Sequence, residues 1–306
     1  MGAEAAVART RRRRRGLLNK VFGCPYVLIA PAVILIAVFS IQPLFFVLQK
    51  SFRNFDMVQG IDRFIGLANY RSIFTNPLFL QALGNTFVYM LCTVGFGIVF
   101  GVLFGLFLNK RGGMFDLTQS VIFTPHIISY VSISVMWMWV LDPRAGMANY
   151  LLQSLGLPTS MWMRGEESSL FSVMIVALWK GLGYTSLIVI AGLQNIPPYI
   201  YESARLDRSR GFNLLGRIIL PLLSPTLFFL LVTGVIGSFG TFDIINLMTV
   251  GGPNNSSNLL VHWIYQTGFQ FFRMGPAMAA SVVYLAIIAV ISLLNFTVFG
   301  KKVHYQ

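Results

Sequence analysis

Residues 85–108 read NTFVYMLCTVGFGIVFGVLFGLFL, twenty-four positions without one Asp, Glu, Lys or Arg. An α-helix rises about 1.5 Å per residue, so about 20 apolar residues cross the hydrocarbon core of a bilayer. Such a helix closes its backbone hydrogen bonds internally, the condition for lying in lipid. The same test carried outward gives six such intervals: 26–48, 85–108, 117–141, 170–193, 218–242 and 274–299. The fourth contains only Lys180 and the others carry no charge. No alternating barrel pattern competes with this reading, which predicts an all-α membrane protein of six transmembrane helices.

Composition agrees. The 306 residues are 56% hydrophobic and 11% charged, with a mean hydropathy of +0.71, which excludes an ordinary soluble domain. A net charge of +13 in a soluble chain would point to nucleic acid. Here the basic residues gather in short stretches between apolar runs, as juxtamembrane charge does, and nucleic acid is excluded as a partner.

The basic residues also set the orientation. With the N-terminus and alternate loops on one side, that side holds fifteen: Arg9, Arg11 to Arg15, Lys20, Lys110, Arg111, Arg205, Arg208, Arg210, Arg217, Lys301 and Lys302. The other holds seven: Lys50, Arg53, Arg63, Arg71, Arg144, Arg164 and Arg273. Both termini are therefore expected in the cytoplasm. Arg11 to Arg15 before an apolar segment resemble a secretory signal, but the 29 residues between Lys20 and Lys50 lack a small-residue cleavage site and read as a retained anchor. The division is a basic cytoplasmic tail over 1–24 and a transmembrane domain over 25–306. Cys24 and Cys92 form no ligand or disulfide pattern and read as packing residues. Trp137 and Trp139 read as interface anchors at an outer boundary.

The outside segments, about 49–84, 142–169 and 243–273, carry turn formers such as Asn76-Pro77, Asp142-Pro143 and Gly251-Gly252-Pro253. Inside, Lys110 to Asp116 is a brief turn, whereas the loop of about 195–217 is long and polar. Residues 196–221 read IPPYIYESARLDRSRGFNLLGRIILP. Pro197 and Pro198 suit a helix start, Tyr201, Ala204 and Leu206 give an apolar edge, and Gly211 permits a break before Phe212. An amphipathic helix standing in water needs a partner for its face.

This loop resembles the EAA loop of ATP-binding-cassette (ABC) importer permeases, with Glu202, Ala204, Asp207, Ile218, Leu220 and Pro221 matching. Ser203 departs from the second Ala, and Arg208 stands where Gly is usual, so Gly211 is expected to supply the turn. The resemblance implies the type I importer transmembrane domain, with this loop as a coupling helix inserted into a cleft of the ATPase. Glu202 and Asp207 would be polar contacts or braces, and Tyr201, Ala204 and Phe212 the buried surface. Further strings resemble the carbohydrate-uptake permeases of the maltose and glycerol-phosphate type: residues 64–70 (FIGLANY), 191–197 (AGLQNIP), Phe242-Asp243, 248–255 (MTVGGPNN) and 302–305 (KVHY).

Polar and aromatic groups within spans usually face a cavity. His126, Tyr130, Trp179, Lys180, Tyr184 and Ser238, with Asp243 and Asn246 at an outer end, mix rings that stack on sugar faces with groups that bind hydroxyls. In maltose-type permeases the third to fifth of the corresponding helices build the substrate site, which the resemblance extends to His126, Tyr130, Lys180, Gly181, Tyr184 and Ser238. Each also has a plainer role: Tyr130 and Trp179 as packing, His126 as the cap of a kink after Pro125, Ser238 bonded to its own helix. Lys180 either pairs with Asp243 or, left unpaired, meets an anionic substrate.

The chain has no P-loop, so ATP and Mg would be used by a separate ATPase and no cofactor is bound here. The resemblance implies a second, different permease chain, two ATPase copies and an extracytoplasmic solute-binding protein, in a bacterial inner or plasma membrane. The expected function is a non-enzymatic half of an import path for a sugar, oligosaccharide or polyol derivative. An embedded enzyme lacks its motifs here. An ion-driven secondary sugar transporter remains the alternative, though Asp243 is the one carboxylate near a span.

Overall fold

The computed structural model describes residues 25–299 other than 57, 58, 111 and 210. The basic tail with Arg9, Arg11 to Arg15, Lys20 and Cys24, together with Arg111, Arg210 and the closing string from Lys301 to Tyr305, lies outside the described residues.

Four unbroken helices are long and apolar enough to cross a membrane: α1 (Tyr26–Ser51), α3 (Pro77–Leu108), α7 (Ser169–Gln194) and α13 (Met274–Val298). The expected spans at 117–141 and 218–242 are each a bent pair instead. The first comprises α4 (Gly113–Ile127) and α5 (Tyr130–Val140), at 102° to one another. The second comprises α9 (Phe212–Leu222) and α10 (Ser224–Phe239), at 67°. In the first pair Pro125 removes a helical donor, and Ile128 and Ser129 then turn extended at ψ 141° and 149°. The Ser129 side chain starts the new helix by accepting from the Ser132 N–H. In the second pair Pro221 and Pro225 flank the break at Leu223.

The chain is not wholly helical. Strands β1 (Arg53–Asp56) and β2 (Ile61–Phe64) form an antiparallel hairpin directly after α1, with Arg53 opposite Phe64. Asp62 sits between Lys50 and Arg53. The hydrogen bond from Lys50, and the charge of Arg53 behind it, hold the Asp62 carboxyl below the usual carboxylate range. Short helices complete this end: α2 (Ala68–Phe74), α6 (Met147–Ser154), α11 (Asp243–Met248) and α12 (Leu260–Tyr265).

α3 and α7 cross at the centre of the bundle. A Cβ on Gly101 would lie 2.3 Å from Thr185 Cγ2, and one on Gly105 would lie 2.6 Å from Val189 Cγ1, so only glycine lets the two backbones approach this closely. At the hairpin end, residues 249–258 are latched over both helices. Asn85 Nδ2 donates to the carbonyls of Asn255, Ser256 and Asn258, and the Ser169 and Ser256 hydroxyls meet at 2.7 Å. Thr86 donates to Ala82 O and accepts from the Leu260 N–H, which fixes the start of α12. At the opposite end of α7 the chain enters α8 (Pro198–Leu206).

Candidate functional site

The junction of α3, α4, α5, α7 and α10 leaves a cavity of about 480 Å³. Tyr89, Thr93 and Gly97 come from one face of α3, Gly181, Tyr184 and Thr185 from α7, and Thr233, Gly237 and Ser238 from α10. His126 ends α4 and Tyr130 begins α5, so the elbow between them forms one wall. The His126 ring lies flat against Tyr184, with centroids 4.7 Å apart, and stacks on Phe123 from the other side.

The elbow has an identifiable clamp. The last carbonyls of any helix lack intrahelical donors, and at the end of α4 a side chain from α7 supplies them. Gly183 lets α7 touch α4, since a Cβ there would stand 2.1 Å from Ile122 O. One turn earlier, Lys180 reaches into the break and its Nζ donates to the carbonyls of Pro125, His126 and Ile128 at 3.0, 3.0 and 2.5 Å. The ammonium also lies 4.6 Å from the centre of the Tyr130 ring. Lys180 is 5% exposed, and its three donors match three acceptors at the negative end of a helix.

At the other end of α7, α8 shows two faces. Ala204 is buried against the chain itself, whereas Tyr199, Glu202 and Leu206 recur at helical spacing along an exposed face, with Phe212 exposed just beyond. Arg208 (φ 54°) and Gly211 (φ 56°) both adopt the left-handed region, so the turn is made twice, once without the help of glycine.

Residues 97–304, more than half of the chain, match the model of binding-protein-dependent transport system inner membrane components. The chain belongs to this family. Among relatives of this permease, the sn-glycerol-3-phosphate transport system permease protein of Agrobacterium fabrum is 31% identical over 290 residues, covering 94% of this chain and 97% of that protein. Its counterpart in Pectobacterium atrosepticum is 29% identical over 285 residues, covering 92% and 96%. A bacterial ABC transporter for import of the acidic polysaccharide alginate shares the fold, with a TM-score of 0.81 at 24% identity over 95% of this chain and 99% of its own. A second alginate transporter structure, in complex with an alginate pentasaccharide-bound periplasmic protein, gives 0.77 at 25% identity over 94% of each chain.

Within this permease, His126, Tyr130, Gly181, Tyr184 and Ser238 meet at the cavity. Asp243 lines a smaller pocket of about 90 Å³ that shares Tyr130, Gly237 and Thr241 with it. Trp179 does not join them. It packs edge-to-face on Trp137, centroids 5.4 Å apart, so Trp137 turns into the core and only Trp139 is largely exposed. No ion pair joins Lys180 to Asp243 among the described residues, because the carbonyls of the elbow have taken the ammonium. Tyr201 and Ala204, expected on the partner-facing surface, instead face the chain's own core. Ser238 lines the cavity and also bonds Val235 O of its own helix. Cys92 packs against the core. Sequence reasoning missed Tyr89, Thr93, Thr185, Thr233 and Thr241; the spacing of Tyr89, Thr93 and Gly97 on one face of an uncharged helix was the available signal.

Proposed function

We propose that this chain is the transmembrane subunit of an ATP-driven ABC importer, forming half of the path for a sugar, oligosaccharide or polyol derivative and coupled to a separate ATPase through α8. It crosses the bacterial inner or plasma membrane six times, with α4–α5 and α9–α10 as bent spans and both termini in the cytoplasm. A different permease chain supplies the other half, two ATPase copies use ATP and Mg, and a solute-binding protein delivers substrate to the hairpin end.

The observation that carries the reading is the division of α8. Ala204 anchors the helix to the bundle, while Tyr199, Glu202 and Leu206 present an unpartnered face, with Phe212 beside it. A mixed apolar and acidic helix face suits a groove in a partner protein. The ion-driven alternative needs coupling-ion ligands, and among the described residues Asp243 is the one carboxylate beside the cavity.

Co-purification tests the reading. Glu202→Lys with Leu206→Asp reverses charge and polarity on the exposed face and leaves Ala204 in place. Loss of the ATPase, with the second permease still bound, is the expected result. An ATPase retained at wild-type level by the double variant would remove α8 from the coupling role.

A further inference from the structure

We infer that the cavity takes an uncharged polyhydroxyl solute, an unmodified sugar or polyol, and disfavours phosphorylated or carboxylated ones. The inference rests on the importer reading and narrows its substrate. The named relatives concern a phosphate ester and an acidic polysaccharide, so this departs from them.

Among the described residues the lining contains no Lys or Arg. The nearest cation, Lys180, donates to three elbow carbonyls, and an ammonium has only three hydrogens, so none is left for an anion. The nearest carboxylate has the wrong sign for one. Asp243 is exposed at the start of α11, in a pocket continuous with the cavity through Tyr130, Gly237 and Thr241. A bound phosphate or carboxylate would face that carboxylate without a free Lys or Arg from the described lining of this chain, and like charges brought together disfavour binding.

Hydrogen-bond polarity points the same way. Thr93, Thr185, Thr233 and Ser238 donate their single hydroxyl protons to the carbonyls of Tyr89, Gly181, Phe229 and Val235. What these side chains present to the cavity is therefore lone pairs. At these four positions a phosphate or carboxylate, which brings only acceptors, meets acceptors. A sugar hydroxyl brings a donor to each, while the phenols of Tyr130 and Tyr184 can donate in return.

The test uses the assembled transporter, this chain with its second permease, ATPase and solute-binding protein, in proteoliposomes supplied with ATP. Two probe sets are compared: glycerol, maltose and maltotriose against glycerol 3-phosphate and oligogalacturonate. Saturable uptake of a neutral probe is expected, with its anionic counterparts taken up about tenfold less efficiently or worse. Thr233→Val keeps the side-chain shape and removes the lone pairs, so half-saturation by the neutral solute should rise roughly threefold to tenfold. Preferred uptake of an anionic probe, or unchanged half-saturation in Thr233→Val, would overturn the inference and leave the importer reading standing. No ATP-dependent uptake from either set would overturn the importer reading and the inference with it.

Discussion

Replacing Lys180 by Met keeps most of the apolar stem and deletes the ammonium that closes the α4–α5 elbow. Three hydrogen bonds to backbone carbonyls disappear, and the acceptors are left without their donor. Bonds with a charged partner contribute about 1.5 to 3 kcal/mol each. Against that, the variant no longer holds an ammonium within a membrane span, a relief of roughly 2.5 to 3.5 kcal/mol. The net loss is on the order of 1 to 6 kcal/mol, which for a chain of this size lowers the unfolding midpoint by roughly 2 to 10 °C. Heating the purified full-length chain in detergent and following the folded fraction by size exclusion measures the shift. Asp243→Asn is the matched control and should stay within about 0.5 kcal/mol of wild type, since no ion pair joins it to Lys180. A Lys180→Met midpoint at or above wild type would refute the clamp. An Asp243→Asn midpoint lowered equally would restore the salt bridge.

Gly183→Val should be more damaging, because even its Cβ would overlap Ile122 O; loss of the folded, monodisperse peak is expected, whereas Gly181→Ala, with nothing within 4 Å of its Cβ, should elute normally. His262, on α12 and outside the spans, is fully buried: Asn258 Nδ2 donates to Asn255 and Gln266, leaving Asn258 Oδ1 to accept from His262 Nδ1, while Nε2 has no partner among the described residues. Burial pushes its pKa down to about 4, so the unfolded chain binds the proton first. Stability should be full above pH 6.5 and fall as the pH drops toward 4, by up to about 3 kcal/mol, and His262→Gln should flatten that slope in a pH series of melting curves. A wild-type slope retained by His262→Gln would assign the titration elsewhere.

Hydrophobic length alone located every long helix, because lipid leaves the backbone no alternative to internal hydrogen bonding. What it could not show is that the expected spans at 117–141 and 218–242 are each bent, and where. Pro125 marked a kink near His126, but a 102° turn requires Ile128 and Ser129 to leave helical geometry, and Lys180, the donor to the carbonyls of Pro125, His126 and Ile128, lies 52 to 55 residues away in sequence. For the same reason Lys180 was recognised as needing a partner and offered only Asp243 or an anionic substrate: a carboxylate is visible in a sequence, and a cluster of orphaned carbonyls is not. The cavity was legible from its aromatic members on the later helices. Its threonines were not, since a hydroxyl bonded to its own helix has the same sequence signature as one facing a cavity. The hairpin over Arg53–Asp56 and Ile61–Phe64 is short, with an exposed second strand, and offers no apolar alternation to read. On α8 the amphipathic spacing was visible, but which face turned inward depended on the bundle, so Ala204 and Leu206, expected on one apolar edge, ended on opposite sides, one buried and one exposed.

The most direct measurement of the central claim is solute uptake by proteoliposomes that contain the whole complex, with ATP present or absent and with a proton or sodium gradient as the competing energy source. Uptake that requires ATP, ignores the gradients and is lost in the Glu202→Lys, Leu206→Asp variant while the two permease chains remain paired is the predicted result. Uptake driven by a gradient without ATP, or undiminished by the variant, would contradict it.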